Sequence, residues 1–485
     1  MKEEWLNIIL VGSNPMPCYV QAAYLMDKTG WTKKEKEYLF VPTRHLLIYT
    51  PETAIYKDQI RMMLEKHFAQ CETKQCKIES VCLQAAEGGK GGEVYQYDVE
   101  RKIKEVLDGK NPKGVILNNT GGTKVMTTYA TIAVREWCQR KYRPGAECYL
   151  ADGKLNCFYF NPGFEEGYSE YKVSNVSLTV KDIVRLHGME ICEEKSEDER
   201  IKNLLQDGDF CCWIKGIAAR MFSGSDSDTF VQEYLRLKAF LTDMCNSEYA
   251  LYFKSLTYEG ESCEFISPDK ARRFEQYTDL LEQYRKKNLW PYFDKNKGCF
   301  ESEIEEGGSE MADLLNQARV KGLDCWQFFM ENWFYYYICC AVRDALRKVI
   351  YEVKDKPGED VKVDIVYRPW IKDNHGKRQY DILFSIGYQL TVISITGRDR
   401  AFSVKMDFFE ALYQSEKIGG SRSRVMLISR FTNQNSKTYE EEIEAFRRDL
   451  DSFSSKQYHQ ATIFGQKELS DYENLVELLA KDIKK

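Results

Sequence analysis

The first 160 residues alternate continuous apolar runs of strand length with stretches of helical spacing. Trp5 to Val11 reads WLNIILV, and further runs lie at His45–Tyr49, Lys77–Leu83 and Gly114–Leu117. Helical spacing occupies Pro17–Met26, Thr53–Phe68, Val94–Leu107 and Thr123–Trp137 between and after them. Two short strands follow, near Glu147–Leu150 and Leu155–Phe160. A strand that is apolar throughout has both faces covered, and strands that alternate with helices pair in parallel. The pattern therefore predicts a Rossmann-like α/β domain over residues 1–170.

At 485 residues the chain exceeds one ordinary core and fits about three units of roughly 150 residues. From Leu178 to Lys321 helical periodicity dominates, as in Thr229–Thr242 and Lys270–Lys286, so residues 171–320 are expected to form a helical connector, including a winged-helix-like piece. From residue 321 to 485 the pattern is again mixed. A long aromatic helix, Trp326–Lys348, precedes strands at Val361–Tyr367, Asp381–Ile386 and Gln389–Ile395. A helix at Val404–Lys417, the turn Gly419-Gly420 and a strand at Arg424–Ser429 follow. This order suits a small α/β nuclease core of the restriction-endonuclease type. Hydrophobic residues make up 43% of the chain, and charged residues, of mixed sign, 30%, which is globular rather than disordered composition. The formal net charge of −6 argues against a general nucleic-acid coat, whose phosphate contacts need a basic surface.

Two loops carry the functional signal. Gly12-Ser13-Asn14-Pro15-Met16-Pro17 follows the first strand, and Asn118-Asn119-Thr120-Gly121-Gly122-Thr123-Lys124 follows the fourth. Both are expected at the carboxyl ends of parallel strands and both open into helices, where free N–H groups and a positive dipole end favour phosphates. Ser13, Asn14 and Thr123 are also good helix caps. A cap alone does not call for two glycines beside a lysine. No GxGxxG follows the first strand, which leaves a dinucleotide cofactor without support. The Gly-rich stretch 87–92 lacks the spacing of a phosphate loop.

These residues carry a resemblance. VGSNPMP at 11–17, LLIYTPET at 46–53 and LNNTGGTKVM at 117–126 resemble the CARF domains of type III CRISPR effectors, and more narrowly the subfamily in which CARF is fused to a PD-(D/E)xK nuclease domain. The resemblance covers residues 1–170 and continues through LTVKDIVRLHG at 178–188 into the C-terminal third. It implies a homodimer that binds a cyclic oligoadenylate, usually cyclic tetra-adenylate, across its twofold axis in antiviral defence. It implies ligand contacts at Gly12, Ser13, Asn14, Met16, Thr50, Asn119, Thr120, Gly121, Gly122, Thr123 and Lys124.

The same resemblance implies a nucleic-acid substrate, DNA or RNA, and acids that hold Mg²⁺ or Mn²⁺ to polarise a phosphate and activate water. Asp381 fits the first acid and the metal position. Where Glu-x-Lys is expected on the next strand the chain has Ser394 and Thr396, and Tyr335 replaces an acid on the preceding helix. Either the nuclease is degenerate or its groups have migrated, with Lys405, Asp407, Glu410 and Glu331 as the candidates. Arg398, Arg400, Lys405, Arg422 and Arg424 offer a basic rim. A catalytically inactive domain that acts by binding, assembly or transcriptional regulation is the alternative.

Other patterns are weaker. Arg368 and His375, with six residues between them, match a HEPN ribonuclease spacing but lie among loop formers. The 16 cysteines include the neighbours Cys71 and Cys76 and the adjacent pairs Cys211-Cys212 and Cys339-Cys340. They show no repeated metal spacing and read as buried thiols of a reducing cytosol. The N-terminus lacks the pattern of a signal peptide, and no apolar run is long enough for a membrane span, so a cytoplasmic location is expected.

Overall fold

The computed structural model describes residues 5–26, 41–70, 76–84, 96–160, 167–173, 176–193, 197–223, 231, 234, 293–294, 299–300, 317, 321, 328, 332–354, 362–397, 401–420, 422–430, 441, 444–448 and 461–484. Contacts divide the chain into two compact units. The first comprises Met1–Asn203, Ala345–Gly465 and Ala480–Lys485, the second Leu204–Asp344 and Gln466–Leu479.

The first unit opens with β1 (Trp5–Leu10), α1 (Met16–Met26), β2 (Arg44–Tyr49), α2 (Ala54–Gln70), β3 (Lys77–Cys82), α3 (Gln96–Lys110), β4 (Gly114–Asn118) and α4 (Lys124–Lys141). Then come β5 (Gly145–Ala151), β6 (Lys154–Phe160) and β7 (Gly167–Lys172). They form one sheet in the order β3-β2-β1-β4-β5-β6-β7. The pairs from β3 through β5 are parallel, while β5–β6 and β6–β7 are antiparallel. The alternating strands thus pair in parallel as the pattern predicts, and the strands that follow extend the sheet antiparallel. The two-residue turn Asp152-Gly153, with φ of 48° and 74°, reverses the chain too tightly for a crossover. All residues of β1 and β4 are buried, as strands covered on both faces must be. One face carries α1 and α2; the other carries α3 and α4 over Leu6, Ile8, Leu10, Val115 and Leu117.

The chain then passes through α5 (Val180–Leu186) and β8 (Glu190–Ile191). Thr179 and Asp182 cap α5 reciprocally, with Thr179 Oγ1 accepting from Asp182 N at 3.1 Å. Next come α6 (Asp198–Gln206), α7 (Gly208–Ser223), the short strands β9 (Phe293–Asp294) and β10 (Cys299–Phe300), and α8 (Trp333–Lys354). The remaining elements are β11 (Val363–Tyr367), β12 (Trp370–Asp373), β13 (Gly376–Gln379), β14 (Ile382–Ile386), β15 (Gln389–Thr396), α9 (Ala401–Gly419), β16 (Arg424–Ser429), β17 (Ala461–Phe464), α10 (Gln466–Leu469) and α11 (Tyr472–Ile483). A second sheet has the order β11-β14-β15-β16-β17, antiparallel on its first two pairs and parallel on its last two. The chain is therefore α/β, with a Rossmann-like N-terminal sheet and a separate C-terminal α/β sheet.

The two sheets share one core. Apolar side chains run from β1, α1 and α2 through Ile183 and Leu186 of α5 to Leu383, Leu390, Val392 and Ile418. Backbone and side-chain bonds tie the segment before α5 to the second sheet: Leu178 N donates to Gly387 O at 2.8 Å, and Ser385 Oγ to Leu178 O at 2.7 Å. The segment from Arg368 to His375, expected as a loop, contains β12. It pairs with β13 and with β8, about 180 residues earlier in the chain.

In the second unit, Trp333, Phe334, Tyr335, Tyr336 and Tyr337 are buried core, as the aromatic run suggested. Tyr337 Oη donates to Leu469 O at 2.8 Å, and Tyr472 Oη to Asp344 Oδ2 at 2.8 Å. The expected helices at Thr229–Thr242 and Lys270–Lys286 fall almost wholly outside the described residues, as do Cys71 and the Gly-rich stretch 87–92.

Candidate functional site

The two loops singled out in the sequence meet at the point where the strand order reverses. β1 lies between β2 and β4. The helix after β1 packs on one face of the sheet, whereas the helix after β4 packs on the other. Such a divergence opens a crevice at the carboxyl ends of the strands, and open α/β sheets bind ligands there.

The glycines explain how close the loops come. A Cβ on Gly12 would lie 2.7 Å from Gly122 N. One on Gly121 would lie 2.1 Å from Leu10 O and 2.7 Å from Cys18 Sγ, and Gly122 has φ of +81°. The loops therefore touch backbone to backbone, and no side chain fits between them. Asn118 Oδ1 accepts from Thr120 N at 2.9 Å, which turns the second loop outward. Thr120 Oγ1 accepts from Leu150 N at 2.8 Å. Thr123 caps α4, its Oγ1 accepting from Met126 N at 3.3 Å. Its cap role is thus realised, while Ser13, Thr123 and Lys124 are exposed at the rim. Asn119 donates Nδ2 to Thr131 Oγ1 at 3.3 Å, and its buried Oδ1 has no hydrogen-bond partner. An unmatched buried acceptor is costly and suits a ligand donor. Asn14 turns back on its own loop, Oδ1 accepting from Met16 N at 3.3 Å, and Met16 is buried. Thr50 follows β2 at the same edge, engaged with Thr53 through Thr50 N–H to Thr53 Oγ1 at 3.0 Å.

Below the loops lies a polar cluster that the sequence pattern did not reveal. Asn7 of β1 donates to Gln21 Oε1 at 3.0 Å and meets His45 Nδ1 at 3.1 Å. Asn118 donates to the same Gln21 oxygen at 3.1 Å. All four side chains are fully buried. Their signal in the sequence is faint: one polar residue inside WLNIIL and one histidine opening HLLIY. Burial pushes His45 down to about 3, so its ring is neutral at physiological pH.

The C-terminal candidates come together only in part. Asp381 precedes β14, and its Oδ2 accepts from Ile395 N at 2.8 Å. Thr396 Oγ1 donates to Asp407 Oδ2 at 2.8 Å. Ser394 lies on β15, half-buried. Glu410 pairs with Arg378 instead, and Lys405 Nζ lies 5.3 Å from the Phe446 ring centroid. Arg424 donates to the carbonyls of Asp482 and Ile483. Glu331, Arg398 and Arg400 lie outside the described residues. Hydroxyls are poor ligands for a hard cation, and the carboxylates of Asp381 and Asp407 already accept internal hydrogen bonds. Among the described residues no group of three or more His, Cys, Asp or Glu side chains is placed to hold a metal ion. The described residues thus do not fit the Mg²⁺ or Mn²⁺ site that the resemblance implies.

No protein-family model and no curated protein matches the sequence. Solved structures do match it along its length. Protein VC1899 from Vibrio cholerae aligns at 12% identity with a TM-score of 0.52, over 99% of this chain and 98% of that one. Can2 from Sulfobacillus thermosulfidooxidans, solved in complex with cyclic tetra-adenylate, aligns at 15% identity with a TM-score of 0.52, over 98% and 97%. The resemblance read from the two loops is thus matched at the level of fold, which this chain shares with VC1899 and Can2.

Proposed function

We propose that the chain is a cyclic-oligoadenylate-gated effector of antiviral defence. The observation that carries this reading is the pair of interlocked glycine loops at the strand-order reversal. Asn119 contributes an unmatched buried oxygen there, and Lys124 stands at the rim. Helix N-termini and close backbone N–H groups suit the phosphates of such a ring. Cyclic tetra-adenylate, present in the Can2 structure of the same fold, is the first ligand to try.

The reading includes a homodimer with the ring across its axis. An exposed apolar face adjoins Lys124: Val125 and Ile132 on α4, with Tyr149, Phe158 and Tyr168 on β5–β7, each between 38% and 54% exposed. Phe158 stacks on Tyr149 at 6.1 Å and meets Tyr168 at 4.9 Å. Contiguous aromatic surface of this kind is typical of a subunit interface.

For the output, the donor set favours binding or assembly by the C-terminal sheet over metal-dependent cleavage, because Asp381 and Asp407 are engaged and Ser394 and Thr396 stand where Glu and Lys are expected. The test is calorimetric titration with cyclic tetra- and hexa-adenylate, run beside cleavage of labelled DNA and RNA in Mg²⁺ or Mn²⁺. Binding should weaken about tenfold in Lys124→Ala, the loss of one charge-assisted contact. Ligand-dependent cutting abolished by Asp381→Ala would establish the nuclease output instead. Absence of binding by either ring would sink the sensor reading.

A further inference from the structure

A cavity of about 520 Å³ lies within the first unit between the N-terminal sheet and the C-terminal sheet. Its walls come from three places: the first glycine loop through Asn14 and Met16, the β5–β7 edge through Leu150 and Lys172, and the C-terminal sheet through Tyr388 and Arg422. The volume falls in the range of about 300–1,000 Å³ typical of small-molecule sites, enough for one nucleotide unit of a larger ring. Of the basic lining residues, Lys154 pairs with Glu170 at 2.7 Å and Arg424 donates to the carbonyls of Asp482 and Ile483; Lys172 and Arg422 still outnumber the one lining acid, Asp152, so the lining favours an anion.

The two C-terminal residues are built into the loops. Tyr388 sits in the two-residue turn between β14 and β15, where Gly387 takes φ of +59°. Its hydroxyl is buried near Gly153 with no hydrogen-bond partner. Burial also pushes that phenol up to about 12, so it stays a donor. Arg422 donates Nη2 to Leu150 O at 2.9 Å, and the amide of Leu150 donates to Thr120 of the second loop. Asn14 of the first loop lies so near Gly420 that a Cβ there would come within 2.7 Å of its Oδ1. Both loops are thus held against the C-terminal sheet, the first by direct approach and the second through Leu150.

We infer that this cavity is a phosphate- and base-binding subsite shared by the two sheets, in which Arg422 and Tyr388 contact one nucleotide of the ligand that the glycine loops hold. The inference rests on the sensor reading and adds that the effector sheet is itself part of the sensor. No remote relay is then needed: a ligand that bridges the two sheets differs in affinity between their arrangements and so shifts them.

The test is titration of the full chain with cyclic tetra-adenylate in wild type, Arg422→Gln and Tyr388→Phe, with thermal unfolding of each protein alone. Arg422→Gln should weaken binding about tenfold or more, and Tyr388→Phe about fivefold, at little change in Tm. Should Arg422→Gln fail to fold, Tyr388→Phe, which removes one unmatched oxygen, decides the matter. Wild-type binding that neither variant weakens would overturn this inference and leave the sensor reading standing. A wild type that binds no ring would overturn both.

Discussion

Gly121 shows how much a single hydrogen can decide. Its Cα faces Leu10 O and Cys18 Sγ with no room for a methyl group. Gly121→Ala should cost on the order of 3 kcal/mol and abolish ligand binding, checked by thermal unfolding and titration. His45 makes a pH prediction. Its folded-state value is about 3 against an ordinary 6.5, so the unfolded chain takes up a proton that the folded chain refuses. Stability is full above pH 6.5 and falls as pH drops from 6.5 toward 3, by about 2 kcal/mol at pH 5. Denaturant melts at pH 7.5 and 5 should show this loss, and His45→Asn should reduce it. At this scale the loop glycines were legible, because paired glycines at a strand end mark a close backbone approach. Asn7, Gln21 and His45 were not, because a polar residue in an apolar strand declares its burial but not its partner. The Ser394 and Thr396 replacements were visible as departures. The bonds that hold Asp381 on the Ile395 amide and Asp407 on Thr396 were not, because they join elements whose packing no local spacing encodes.

Elements followed periodicity closely where contacts are local. The strands at Arg424–Ser429 and His45–Tyr49 fall where spacing put them, within a residue, and the helix after Thr123 starts where expected but runs on past Trp137 to Lys141. Pairings over long separations did not follow. β8 joins β12 across about 180 residues, and nothing in two residues of strand announces that partner. The short turn after β5 hid the change from parallel to antiparallel. The N-cap of α4 gives a prediction: Thr123→Ala removes the oxygen that accepts from Met126 N and should cost about 1 kcal/mol in a thermal melt. Thr123→Ser should keep most of it.

At the scale of the molecule, the exposed aromatic face on β5–β7 predicts association. Phe158→Asp places a charge at the centre of the Tyr149–Phe158–Tyr168 cluster and should shift sedimentation toward monomer, with Tm little changed. An N-terminal Rossmann-like sheet and a C-terminal α/β sheet were legible. That the two sheets share one core was not, because no pattern in either sheet names the other.

The division of the chain has a consequence for synthesis on the ribosome. The polypeptide leaves the first unit at residue 204, returns at 345, leaves again at 466 and returns at 480. The segment from residue 466 onward therefore finishes both units. Leu469 and Tyr472 receive and supply bonds to α8, while Asp482 and Ile483 close on Arg424. Neither unit can lock until that segment has left the exit tunnel. A nascent chain stalled at residue 465 should stay protease-sensitive beyond the N-terminal sheet, and the released full chain should not.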